Sequence, residues 1–307
     1  MVNTKGSVVG LLRWQWKAVA WSTSAAVLVF LAWRHAPEGL ALHALPTLPV
    51  SVLGAAIGIF VSFRTNSSYD RWWEGRKLWG RMINSSRHWG TQVMSYVDAP
   101  HGQEPTSAQT TLICRHIGYV HALRCLMRLQ DPLQDEHVLE YLTPQDIQHI
   151  TGHSNPTHAL LHEQSLTLAE ASDAGRLREL RLQSLDGTIA ALLDIQGGCE
   201  RIKKTPMPKG YGYIAELLIR CYALLLPMSL VQDMGWVAIP ITVLICLSFT
   251  LISEAGRVLE DPFSVFWNGL PLMDISRTIE RNLLQCLRID TQSLPAPMQV
   301  DDQGILM

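Results

Sequence analysis

The amino-acid sequence predicts an all-α membrane protein with a large helical region outside the bilayer. Three observations carry this. Four apolar runs are long enough to span a membrane. A proline-free stretch between Pro49 and Pro100 passes from apolar to polar without a break. No strand-like alternation of useful length occurs anywhere between these elements.

Composition agrees. The chain has 307 residues, of which 48% are hydrophobic and only 17% charged. A net charge of −2 gives a nucleic-acid role no electrostatic support. The six cysteines, at 114, 125, 199, 221, 246 and 286, show no CxxC spacing, so they read as small buried hydrophobes. Ten tryptophans is a high number, and Trp14, Trp16, Trp21, Trp33 and Trp236 lie at or near the ends of apolar runs, as an interfacial belt requires.

Residues 1–17 form a short basic segment with Lys5, Arg13 and Lys17. Ala18 to Trp33 follows as a first apolar run. The Arg34-His35-Ala36-Pro37 sequence after it is a poor cleavage site, so a retained helix is preferred over a signal peptide. A short loop leads to a second run, Leu45 to Phe63. Arg64, Arg71, Arg76, Lys77 and Arg81 cluster directly after it, whereas the loop between the two runs carries only Arg34. The positive-inside rule therefore places the N-terminus and the region after Phe63 in the cytoplasm.

The stretch Ser51 to Trp79 organises the rest. A helix of about fifty residues would run roughly 75 Å, from lipid far into the cytosol. Gly54, Gly58 and Ser62 recur at four-residue spacing and make a strip of small groups that allows close helix contact. Ala55, Ile59 and Phe63 form the neighbouring row. Two readings fit this spacing: both rows pack against other helices of one subunit, or copies of the helix ring an axis and present stacked apolar rings to it. Hydrophobic constrictions of the second kind gate pores by dewetting.

Residues 82–204 hold no spanning segment. Leu112 to Leu129 reads as an amphipathic helix interrupted for membrane purposes by Arg115, His116, His121, Arg124 and Arg128. Asp98 to Ser107 and Leu129 to Pro156 read as loop-rich. Ser165 to Ile195 is helical in pattern, with Gly197-Gly198 as a helix stop. A second hydrophobic half follows, Tyr211 to Val231 and Trp236 to Ile252, joined by Gln232-Asp233-Met234-Gly235, which has no basic residue and suits an outside turn. Pro227 and Pro240 fall inside these runs, where membrane helices tolerate kinks. Glu216 and Arg220 are four apart, so they can pair; a structural ion pair near the inner interface is preferred over an ion-binding site. A helix from Met273 to Leu287 closes the folded part. Residues 291–307 read as a tail that embraces a neighbour or is disordered.

No catalytic motif is present, neither a P-loop, GxGxxG, HExxH nor GxSxG, so an enzyme is not expected and no cofactor is implied. His158 and His162 share a helix face, and His116 and His121 are five apart. Without a third ligand, His158 and His162 read as solvated histidines, not a metal site.

The run Phe63-Arg64-Thr65-Asn66-Ser67-Ser68-Tyr69-Asp70-Arg71-Trp72-Trp73-Glu74-Gly75-Arg76, followed by Leu78-Trp79-Gly80, resembles the bestrophin family in its bacterial branch. Gly197-Gly198-Cys199-Glu200-Arg201-Ile202, Thr205-Pro206-Met207-Pro208 and Leu259-Glu260-Asp261-Pro262-Phe263 extend the resemblance over roughly residues 10–290.

The resemblance implies a homopentameric ion channel in the bacterial inner membrane, with four membrane helices per subunit around one axial pore. It puts the pore neck at Ala55, Ile59 and Phe63, the row that spacing offers independently. A second, cytosolic constriction falls at Leu180 through the Leu182-Gln183-Ser184-Leu185 match. Bacterial relatives with aliphatic necks imply monovalent cations, sodium and potassium, as the conducted ions. A chloride channel of the same architecture and a non-conducting accessory membrane protein are the alternatives. Animal bestrophins carry an acidic calcium clasp. Here Asp261-Pro262-Phe263 is followed by Ser264-Val265-Phe266-Trp267-Asn268, without that cluster, so calcium activation is not expected. The expected division is 1–81 with the first two spans, 82–207 as a cytosolic helical region, 208–256 with the last two spans, and 257–307 as a cytosolic end.

Overall fold

The computed structural model describes residues 13–35, 45–98, 104–266 and 268–299. Every regular element among them is helical: α1 (Trp16–Arg34), α2 (Thr47–Tyr96), α3 (Ser107–Met127), α4 (Glu136–Leu139), α5 (Pro144–Ile150), α6 (Pro156–Asp173), α7 (Glu179–Lys204), α8 (Lys209–Met234), α9 (Ala238–Leu259) and α10 (Leu272–Cys286). Short 3-10 turns lie at Pro132–Gln134, Gly235–Val237 and Thr291–Ser293. The chain divides into two compact units, with boundaries after Trp72, Thr205 and Glu260. The long α2 contributes to both. The basic segment before Arg13, most of the loop after α1 and the last eight positions lie outside the described residues.

The first unit comprises α1, α2 as far as Trp72, α8 and α9. Trp16–Arg34, the apolar part of Thr47–Tyr96 and the run Gly210–Leu259 are long and apolar enough to cross a membrane. The last of these is two helices. Gly235 takes φ +57°, open to glycine without strain, and the chain reverses there. Tyr222 and Phe249, nearly equidistant in sequence from Gly235, meet edge to face at 5.9 Å. Pro227 sits inside α8. Pro240 falls in the first turn of α9, where its missing N–H has no intrahelical acceptor to lose. It requires no kink. Cys221 is exposed on α8, contrary to the expectation that all six cysteines are buried. On a helix as apolar as this one a thiol need not be covered.

One face of α2 builds the core of this unit. Val50, Ile57 and Val61 are buried with Ala215, Ile219, Tyr222, Ala223 and Leu226 of α8 and Cys246 of α9. Gly54 lies on the same face, against the Tyr222 ring, and a Cβ there would collide with it. Gly58 is 3.5 Å from Phe249 by the same measure. Two members of the small strip thus serve contacts inside the subunit.

The second unit is organised by α3, which is buried on nearly every side. Its sequence reads as an amphipathic helix with one polar face. Arg115, His116, His121 and Arg124 instead find partners inside the unit. Arg115 donates to Asp146 at 2.6 Å, Arg124 to Asp135 at 2.7 Å, and His116 is hydrogen-bonded to Ser86 at 2.9 Å. Glu280 of α10 is fully buried; its carboxylate accepts from Tyr141 at 2.6 Å and Arg277 at 2.8 Å and lies 3.1 Å from His121 Nε2. Burial alone would raise the Glu280 carboxyl, but the hydrogen bonds from His121 and Tyr141 and the nearby Arg277 charge outweigh it and hold it below the usual range. Burial pushes the His116 imidazole down to about 3. Neither histidine is solvated.

Three local expectations are corrected in this unit. Gly197 and Gly198 do not stop a helix: α7 continues to Lys204. Gly198 is small because the Leu78 side chain packs onto it; a Cβ would come within 2.8 Å of a leucine methyl. The helical pattern of 165–195 is two helices, broken at Gly175 with φ +72°. The stretch 129–156 holds α4 and α5, the latter opened by a Thr143–Asp146 capping box. The tail also packs on its own unit as far as it is described: Leu294 is buried, and Arg281 donates to the Pro295 carbonyl.

Candidate functional site

The buried positions of α2 fix where its other face points. Ile57 and Ile59 are two residues apart, close to opposite sides of a helix. Ile57 is 1% exposed and Ile59 is 58% exposed. Ala55 is exposed as well, and Phe63 is 69% exposed. The row singled out by spacing therefore stands on the side of α2 that its own subunit leaves uncovered. With Gly58, Ser62 and Asn66 it lines a shallow open groove along the helix. Ser62, the third member of the small strip, belongs to this groove and not to the internal contact.

Leu180 lies in the first turn of α7 and is 81% exposed. Its own unit gives it almost no cover. Glu216 and Arg220 are hydrogen-bonded to each other within α8, both exposed. This is the ion pair that the spacing predicted, on the surface of the unit. His158 and His162 are exposed, and among the described residues no cluster of His, Cys, Asp and Glu is arranged to hold a metal.

Sequence reasoning missed the polar lock at the end of the apolar part of α2. Arg64 directly follows Phe63 but points the other way and is buried. It donates to Ser253 Oγ at 2.9 Å and to Glu260 at 2.6 Å. Arg71, two turns on, donates to the Glu260 carbonyl at 2.7 Å. Ser68 donates to the Arg64 carbonyl, and Thr65 reaches the Ile252 carbonyl at 3.0 Å. The sequence registers Arg64 only as one of several positive charges. Its signal was position: an arginine one residue past a membrane-grade run, on the buried helix row. By tying α2 to the end of α9, the lock fixes the rotation of α2, and hence the direction of Ile59 and Phe63.

In the other unit, Gly75 packs on Pro262 and Phe263, and Phe263 is fully buried. Asp261 accepts from Lys203 at 2.7 Å and from its own Phe263 N–H at 3.1 Å. Asp261 is thus engaged by protein groups, and Glu74 pairs with Arg201.

The chain matches the family described as Bacterial/Fungal Bestrophin protein over residues 1–285. It is 34% identical over 254 residues to the voltage-dependent anion channel-forming protein YneE of Escherichia coli K12, covering 82% of this chain and 80% of that one. A voltage-dependent anion channel-forming protein of Mesorhizobium japonicum is 29% identical over 264 residues, covering 86% and 81%. A crystal structure of a bacterial bestrophin homolog from Klebsiella pneumoniae superposes with a TM-score of 0.81 at 28% identity, covering 89% of this chain and 98% of that one. With an uncovered apolar row on the longest helix and a family match along nearly its whole length, this chain belongs to the bacterial and fungal bestrophin family.

Proposed function

We propose that this protein is an ion channel, assembled as a pentamer from copies of one chain, in which α2 helices surround a water path. The observation that carries the reading is the uncovered row Ala55, Ile59 and Phe63, facing away from the core of its unit. Side by side around an axis, such rows stack as apolar rings. Narrow rings of this kind exclude water when they close and so gate conduction without a moving plug. Leu180 forms a second apolar constriction on the cytosolic side. In this reading 1–81 and 208–256 supply four membrane crossings, and 82–207 and 257–307 the cytosolic part. Both termini are cytoplasmic, from the arginine cluster after Phe63. Conduction is passive and involves no catalysis.

The conducted ion is an anion, with chloride as the obvious candidate. The sequence-based expectation of sodium and potassium finds no support among the relatives. Those of E. coli and M. japonicum are both named as anion channel-forming proteins. The neck rings themselves are uncharged, so they set aperture and wetting, not the sign of the ion.

The test is flux through the purified protein in liposomes, with chloride and potassium measured separately, together with its mass in detergent. Chloride flux from a pentamer supports the reading. Potassium flux reverses the selectivity. A monomer that conducts nothing points to the accessory-protein alternative.

A further inference from the structure

We propose that the cleft between α1, α8 and α9 binds the phosphate headgroup of an anionic phospholipid. The cleft encloses about 610 Å³, enough for a headgroup and its glycerol. Four cationic side chains line it, Lys17, Arg64, Arg220 and Arg257, with Glu216 and Glu254. Arg64 is already paired with Glu260, so three carboxylates answer four cations. The one positive charge in excess favours an anion.

Two features favour a lipid over a soluble phosphate. First, part of the lining is apolar, with Ile219, Ala223 and Cys246 buried along it. Second, the cleft opens between helices long and apolar enough to cross a membrane, at the end where their apolar runs stop. Lys17 begins α1, Arg64 ends the apolar part of α2, and Arg257 lies in the last turn of α9. A basic pocket between membrane helices at headgroup depth is the arrangement that holds acidic lipid heads. Trp21 stands at the rim, 47% exposed, and donates to the Arg220 carbonyl at 3.4 Å. An indole there suits the boundary between acyl chain and headgroup.

Arg220 is held by Glu216, and Arg257 by Glu254 through two of its nitrogens. A guanidinium has five N–H donors, so each pair leaves donors for a phosphate, which arginine grips bidentately. The inference rests on the membrane placement of these helices and not on conduction.

Native mass spectrometry of the delipidated full-length protein tests it without reading flux. Phosphatidylglycerol and phosphatidylcholine of matched chains would be titrated, with glycerol 3-phosphate as a soluble competitor. Phosphatidylglycerol should bind about tenfold more tightly or better, and the double substitution Lys17→Gln with Arg220→Gln should erase that preference. Arg178→Gln, outside this unit, should leave it intact. Equal binding of the two lipids, or a preference that survives the double substitution, overturns the proposal. Displacement by millimolar glycerol 3-phosphate overturns the lipid assignment in favour of a soluble phosphate. Should the double variant fail to fold, Lys17→Gln alone is decisive: it must weaken phosphatidylglycerol binding and leave phosphatidylcholine unchanged.

Discussion

Arg64 Nη2 and Glu260 Oε1 lie 2.6 Å apart, although 196 positions separate the two residues in the chain. The pair is unequal. The arginine side chain is 6% exposed and the glutamate 31%. Each partner therefore leaves a different problem behind when the other is removed.

Glu260→Ala strands a buried guanidinium with Ser253 as its one remaining side-chain acceptor among the described residues. A loss on the order of 3 kcal/mol is expected, as for a broken buried pair. Arg64→Met leaves a carboxylate that reaches water, so it should cost less. Thermal unfolding in detergent checks the order: Glu260→Ala must melt below Arg64→Met. The reverse order would mean that the lock does not depend on burial of the arginine.

Neighbouring residues of α2 should behave oppositely. Ala55→Ile adds bulk on the uncovered side, so stability should change by no more than about 0.5 kcal/mol while single-channel current in planar bilayers falls. Gly54→Ile drives a side chain into the Tyr222 ring and should destabilise the fold. An unchanged or larger current in Ala55→Ile would remove this row from the conduction path.

Reversal potentials under a potassium chloride gradient should follow the chloride equilibrium. Ile59→Glu places a ring of carboxylates in the neck and should suppress chloride current or turn the channel toward cations. Wild-type reversal near the potassium equilibrium would instead reinstate the cation reading.

His116 predicts a pH dependence of stability. Its folded value of about 3 lies below the unfolded value of about 6.5. The native state thus binds fewer protons than the unfolded one between these limits. Its contribution is fully retained above about pH 6.5 and lost at about 1.4 kcal/mol per pH unit below it. Denaturation at pH 4.5 and 7 should separate wild type from His116→Gln, the variant losing on the order of 3 kcal/mol less over the lower two units. Parallel losses in the two proteins would mean that the imidazole is protonated as readily inside as outside.

Much of this protein was legible as one-dimensional pattern. Hydropathy marked the long apolar helices, the proline-free interval gave the length of α2, and four-residue spacing picked out the row Ala55, Ile59 and Phe63. These features depend on periodicity along a single helix, which the sequence carries by itself. What it misjudged depended on neighbours distant in the chain. Gly198 looked like a stop until Leu78 packed on it. His116 and His121 read only as polar interruptions of an amphipathic helix until Ser86 and Glu280 came beside them. Arg64 looked like one charge among several until Ser253 and Glu260 closed around it. Whether a polar side chain is a surface group or a buried anchor is decided by partners that only the fold brings within hydrogen-bond reach, because burying such a group is affordable only where a partner waits.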